Sequence, residues 1–165
     1  MHFFRFITPF FLIILLTIPR VLLQSFIVVT LPVIINGLGL TSLQAKLVTP
    51  TTLIGTMVFL IPAGMIGDRY GPKITIIYTS IAFFFISIFA AYCHSPVLFL
   101  ILVFLLGVTT AFGITQGSSY VADIYPFEMR GRIIGTYSGL ISLTFYLGPV
   151  LGGLVAEWGI KGIFL

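Results

Sequence analysis

The chain has 165 residues, of which 59% are hydrophobic and 7% charged, with a formal charge of +4 and a mean hydropathy of +1.21. A soluble domain carries about 45–50% apolar and about 25% charged residues, so this composition excludes one and places the chain in a bilayer. The eight Lys and Arg stand singly or in pairs between apolar runs and form no patch, which excludes a nucleic-acid partner.

Stretches without Asp, Glu, Lys or Arg run over 21–45, 47–67, 74–122 and 133–156, each long enough to span the hydrocarbon, which takes about 20 helical residues. The first predicted helix covers 10–35. Its leading "MHFFRFITPFFLIILLTIP" has a basic residue before an apolar run but lacks a small-x-small cleavage site, and Arg20 is followed by another 25 uncharged residues. That reads as an uncleaved helix and not as a secretory signal. Thr17, Arg20 and Gln24 share one face of it. Arg20 is the only charged residue set deep in a span, at a cost of about 2.5–3.5 kcal/mol on insertion scales. Three partners are open to it: an anionic group on a solute, an acid from outside this sequence, or backbone carbonyls loosened around Pro19. The first would make it an anion-sensing group, since the forked guanidinium suits carboxylate or phosphate and Gln24 adds a contact one turn on.

The second helix covers 43–66 and leads into "AGMIGDRYGPKITII", which packs Asp68, Arg69 and Lys73 into a Gly-rich turn. Gly64 and Gly67 lie near the helix end, where small residues admit a neighbouring backbone; Gly71 permits the turn and Pro72 suits the first turn of the third helix. The 49 residues from 74 to 122 hold two helices, 74–92 and 97–122, folding back at "CHSP". On the fourth helix Gly113, Gln116 and Tyr120 share a face. The fifth helix covers 133–156 and adds Tyr137 and Tyr146, and a sixth starts at about 161–165. The fold class is an all-α polytopic bundle. If the N-terminus is cytoplasmic, Arg5, Arg69, Lys73, Arg130 and Arg132 fall inside and only Lys46 and Lys161 outside. The positive-inside rule therefore predicts a multi-pass protein of the cell membrane with that orientation, Cys93 and His94 being outside.

"GMIGDRYGPK" resembles the signature loop between helices two and three of the major facilitator superfamily, a pattern of the form G-x-x-x-D-R-x-G-R-[KR]. "TLPVIINGLGLTSLQAKLV" is similar to the end of that family's first helix and its first outer loop, "VADIYPFEMRGRIIG" to its loop after helix four, and "GPVLGG" to the helix-five motif of many antiporters. The resemblance covers about residues 19–164. It implies the N-terminal half of a two-domain fold, six helices here truncated at the sixth, and a conformational gate built from Gly64, Gly67, Asp68, Arg69, Gly71, Lys73, Asp123, Arg130 and Gly131. In the family a basic residue after the turn pairs with an acid matching Asp123; Pro72 stands at the first such position, leaving Lys73 or Arg69. The resemblance further implies a helix-five motif of Gly148, Pro149, Gly152 and Gly153. Three departures are clear: Val103 stands where an embedded Arg is usual, Leu23 where drug–proton antiporters carry an Asp, and Thr144 where the helix-five motif has its leading glycine.

Helices one to three and four to six of such a half are inverted repeats, which makes "PAGMIG" and "GPVLGG" corresponding segments. Gly/Pro-interrupted segments at matching repeat positions are a pointer to transport. The expected function is movement of a small solute by alternating access, driven by an ion gradient or the solute's own. Arg20, Gln24, Gln116, Tyr120, Tyr137 and Tyr146 are the candidates for the solute path. An enzyme is not expected, because no paired intramembrane carboxylates, His-Glu-x-x-His or G-x-S-x-G occur. No cofactor or metal is expected either; Cys93 is the only cysteine and no Cys/His cluster has metal spacing. The partners expected are the bilayer, a solute of the charge Arg20 would select, a coupling ion, and a C-terminal half or complementary chain. The alternative is a truncated or split membrane component that does not itself transport.

Overall fold

The computed structural model describes residues 2–155, with side chains from residue 10 to 154. Five helices follow in order: α1 (His2–Leu38), α2 (Ser42–Tyr70), α3 (Pro72–Ala91), α4 (Pro96–Ile124) and α5 (Phe127–Val155). Each holds a segment long and apolar enough to cross a membrane. The helices overrun the spans expected from charge-free stretches. Asp68 and Arg69 lie in the last turn of α2, and Glu128, Arg130 and Arg132 lie in the opening turns of α5, not in a loop. Hydropathy marks where the hydrocarbon ends, whereas backbone hydrogen bonding continues into the headgroup layer, where charge is tolerated; Glu128 also suits the positive end of its helix. The expected sixth helix and Ala156 lie outside the described residues.

Tight connections join the helices. Gly39 (φ +61°) leaves α1 in the left-handed region. Thr41 then caps α2 reciprocally: its hydroxyl accepts from the Gln44 amide while the Gln44 side chain accepts from the Thr41 amide. Gly71 (φ +87°) makes the α2–α3 turn, its amide donating to Gly67 O at 2.8 Å, and Pro72 and Pro96 open α3 and α4 at positions where no amide hydrogen is needed.

α4 is the centre of the bundle. It packs most closely on α2, then on α3, and less on α1, while α5 packs on α1. Half of the most apolar window of α4 is buried, against 11% for α5. One apolar cluster, including Leu23, Ile27, Ile34, Val48, Phe99 and Val103, ties α1, α2 and α4 together at the end nearer the α1–α2 and α3–α4 connections. A second, with Ile13, Tyr120, Val121 and Tyr137, ties α1, α4 and α5 at the other end. Large apolar side chains such as Phe84, Phe85 and Phe89 of α3 point outward. In lipid that exposure costs nothing, so close van der Waals packing and interhelical hydrogen bonds have to hold the helices together.

Candidate functional site

Two glycine seams carry the packing. Between α2 and α4, a Cβ on Gly107 would run into the Thr52 carbonyl oxygen and one on Gly55 into the Phe104 carbonyl. The Thr56 hydroxyl lies 3.0 Å from Gly107 O, closing the seam with a hydrogen bond. Farther along, Gly67 makes room for the side chain of Gln116, whose Nε2 donates to Ala63 O at 2.7 Å. Between α1 and α5, Gly148 sits against Ser25 Oγ, and a Cβ on Gly152 would lie 3.3 Å from Phe26 Cα. Gly153 of the helix-five motif has open space, as do Gly64 and Gly131 of the expected gate.

Arg20 lies in the interior of the bundle, 1% exposed. Its Nη1 donates to Thr109 O at 3.2 Å and its Nη2 to Ile76 O, Thr79 Oγ1 and Ser80 Oγ at 3.4, 3.1 and 2.8 Å. The two hydroxyls pass their own protons to carbonyls one turn back, Thr79 to Thr75 O and Ser80 to Ile76 O, which leaves their lone pairs for the guanidinium. The Phe83 ring lies 5.9 Å from Cζ, within cation–π range. Gly113 lets the guanidinium cross α4, since a Cβ there would stand 2.6 Å from Nη1. Among the described residues no carboxylate meets this cation, and Nε has no partner. None of the three partners expected from sequence is the one it contacts here: the carbonyls it meets belong to α3 and α4 and not to the turn around Pro19, and two hydroxyls that spacing along the chain could not announce join them.

The other path candidates separate. Tyr137 is buried, its hydroxyl 3.3 Å from Thr17 Oγ1 and seated against Gly117. Tyr120 is buried beside it in the same cluster. Gln116 is 1% exposed and its Oε1 lacks a partner. Gln24 is half-buried and Tyr146 is 78% exposed on α5. Arg20, Thr17, Tyr137 and Tyr120 thus share the interior around α1, Gln116 belongs to the α2–α4 seam, and only Gln24 and Tyr146 reach a surface. Leu23 and Val103, where the resemblance would set an acid and an Arg, lie in one apolar cluster.

At the α2–α3 turn, Asp68 and Asp123 line one crevice with Gly67, Gly71 and Ser119. The expected pairing of Asp123 with Arg69 or Lys73 is not formed. Arg69 lies over the Tyr70 ring, 5.6 Å from its centroid, and Arg130 Nε donates to Tyr125 O at 2.9 Å. The turn sends its acid toward α4 and its Arg toward an aromatic face. Among the described residues no group of three His, Cys, Asp or Glu could hold a metal.

The sequence matches the Major Facilitator Superfamily over residues 13–165. It is 29% identical over 152 residues to an uncharacterized MFS-type transporter of Methanocaldococcus jannaschii, covering 92% of this chain and 39% of that protein. It is 31% identical over 127 residues to multidrug resistance protein 1 of Bacillus subtilis, covering 76% of this chain and 32% of that one. To the quinolone resistance protein NorA of Staphylococcus aureus it is 26% identical over 131 residues, covering 79% of this chain and 34% of that protein. The chain therefore spans about a third to two-fifths of the length of these relatives, all of them named for transport or drug resistance. With five helices of membrane-crossing length and a family match over nearly its whole length, this chain is a multi-pass membrane protein that belongs to the Major Facilitator Superfamily.

Proposed function

We propose that the chain is the N-terminal part of a secondary transporter that moves a small solute by alternating access, paired with a second half of comparable build. The observation that carries this reading is the relation between the two glycine seams. Under the inverted-repeat correspondence of α1 with α4 and α2 with α5, the α2–α4 contact maps onto the α5–α1 contact, and both place glycine against the partner helix. Such a pair makes each half a stiff body that can rock as a unit against another, which is what alternating access requires.

In this reading Arg20 anchors α1 to α3 and α4, and the solute meets surface groups such as Gln24 and Tyr146. The resistance functions named for relatives bring lipophilic organic compounds into view as substrates. Apolar Leu23 and Val103 argue against a coupling proton held at those two positions. Asp68 acts as the gate acid, presented with Asp123 in a crevice of the inner turn that another element of the whole transporter can enter in one of its two states.

The test uses the complete protein in inside-out vesicles with a panel of cationic, neutral and anionic fluorescent solutes, with and without a protonophore. We expect chain-dependent accumulation of at least one of them. Asp68→Asn should lower its rate by about 5- to 100-fold, the span of ordinary conformational couplings, at unchanged membrane abundance. No chain-dependent transport of any member, or full activity of Asp68→Asn, would overturn the proposal.

A further inference from the structure

Beside the α2–α3 turn, lined by other residues than the acidic crevice, lies an open groove of about 300 Å³. Ile66 and Tyr70 of α2 form one wall, Ile74, Tyr78 and Thr79 of α3 the other, and Phe112 of α4 the floor. Its threonine hydroxyls are turned away: Thr75 donates to Gly71 O at 2.9 Å and Thr79 to Thr75 O at 2.8 Å. What remains is a hydrocarbon slot. It begins beside the turn and runs about one helical turn along α3, roughly 6 Å deeper at 1.5 Å per residue. Two cations directly precede wall residues in the chain, Arg69 before Tyr70 and Lys73 before Ile74. Arg69 is stacked on Tyr70, which is itself a wall of the groove, and Lys73 adjoins Ile74. Both are exposed, and neither is paired with an acid of the described chain.

We propose that this groove binds one acyl chain of an anionic phospholipid, with the lipid phosphate held by Arg69 and Lys73. The chemistry selects the occupant in two parts. A slot whose lining surface is almost wholly apolar takes a hydrocarbon tail and refuses a hydrated ion or a polar solute. Two cations at headgroup depth, with Asp68 lining the acidic crevice and not this groove, favour a headgroup of net negative charge over one whose phosphate is offset by its own amine. The inference does not rest on the transport reading: it needs only that the helices lie in a bilayer and that the groove opens to its lipid.

The test reconstitutes the full chain into vesicles of phosphatidylcholine and phosphatidylglycerol. Either lipid in turn carries a trace photoactivatable diazirine on one acyl chain, and the labelled peptides are read by mass spectrometry. Each interfacial cation contributes about a fivefold preference for an anionic lipid. Residues 66–79 should therefore be labelled at least fivefold more by the phosphatidylglycerol probe than by the phosphatidylcholine probe. The R69Q/K73Q double variant should remove that excess and keep the phosphatidylcholine signal. Ile74→Trp, at an exposed position that fills the slot while keeping both cations, should lower labelling of residues 66–79 by the anionic probe. Equal labelling by the two probes would overturn the proposal. So would an excess that survives the double variant, or labelling spread evenly along the outward faces of all five helices. An unlabelled segment 66–79 would mean that another part of the protein covers the groove, and would overturn it as well.

Discussion

The two seams differ in what their glycines face. At the α2–α4 seam, Gly107 and Gly55 look directly at backbone carbonyls of the opposite helix, Thr52 O and Phe104 O. At the α1–α5 seam, Gly148 looks at a side chain, Ser25 Oγ, which is held to Leu22 O at 2.9 Å, and Gly152 looks at the ring and Cα of Phe26. A backbone cannot step aside without moving its helix; the serine hydroxyl can rotate, but Ser25 Cβ, 2.6 Å from where a Cβ on Gly148 would stand, is fixed to its own backbone. Both seams are therefore tight, but the first is closed by backbone carbonyls and the second mainly by side-chain atoms that a single substitution can remove, although the fold relates them by a repeat.

This contrast can be broken at its strong end first. Gly107→Ala should force α2 and α4 apart and cost about 3 kcal/mol or more, seen as a collapse of the SDS-unfolding midpoint; a loss below about 1 kcal/mol would show that the backbones are not locked. Next comes the Arg20 crossing, which lies between the seams. Gly113→Ala should cost about 1–3 kcal/mol because the methyl displaces Nη1, and most of that cost should vanish in an Arg20→Leu background. Additive losses in the double-mutant cycle would mean that the two do not touch. Gly148→Ala at the α1–α5 seam should cost about 1–2 kcal/mol and be largely restored by Ser25→Gly, which removes the Cβ and hydroxyl it meets, with failure of the rescue placing the obstruction in the backbone. Smallest is Tyr137→Phe. It deletes the hydrogen bond to Thr17 and should lower the same midpoint by about 0.6 kcal/mol, the average for such bonds in membrane bundles.

Much of this was legible in the residues. The five helices followed from apolar length, and the turn at Gly71 and Pro72 from their backbone preferences. The helix-five glycines announced close packing, though sequence could not say that Gly148 and Gly152 face α1 while Gly153 faces nothing. Helix ends were read short because charge marks the edge of the hydrocarbon and not the end of hydrogen bonding, so Arg130 and Arg132 belong to α5. Arg20 was recognised as anomalous, but its acceptors were hidden for a physical reason. Thr79 and Ser80 look like ordinary membrane hydroxyls, and only the crossing of α1 over α3 and α4 brings them within reach. Gly55, Gly107 and Gly117 were missed as packing positions, and Gly113 was seen only as part of a polar face; their signal was the recurrence of glycine on two helices, which becomes meaningful only once the partner helix is known.

The Arg20 contacts also set an order of events during synthesis. Its acceptors on Thr79, Ser80 and Thr109 lie 59, 60 and 89 residues downstream. At about 5–20 residues per second of elongation, the cation waits roughly 4 to 18 s after its own synthesis before the last of them exists. During that interval α1 cannot be committed to lipid in its final setting. It must linger at the translocation machinery or slide so that the guanidinium stays near water. Slowing the ribosome between residues 80 and 109 would lengthen that exposure, and a nascent chain arrested there should remain crosslinkable to the insertion machinery through α1.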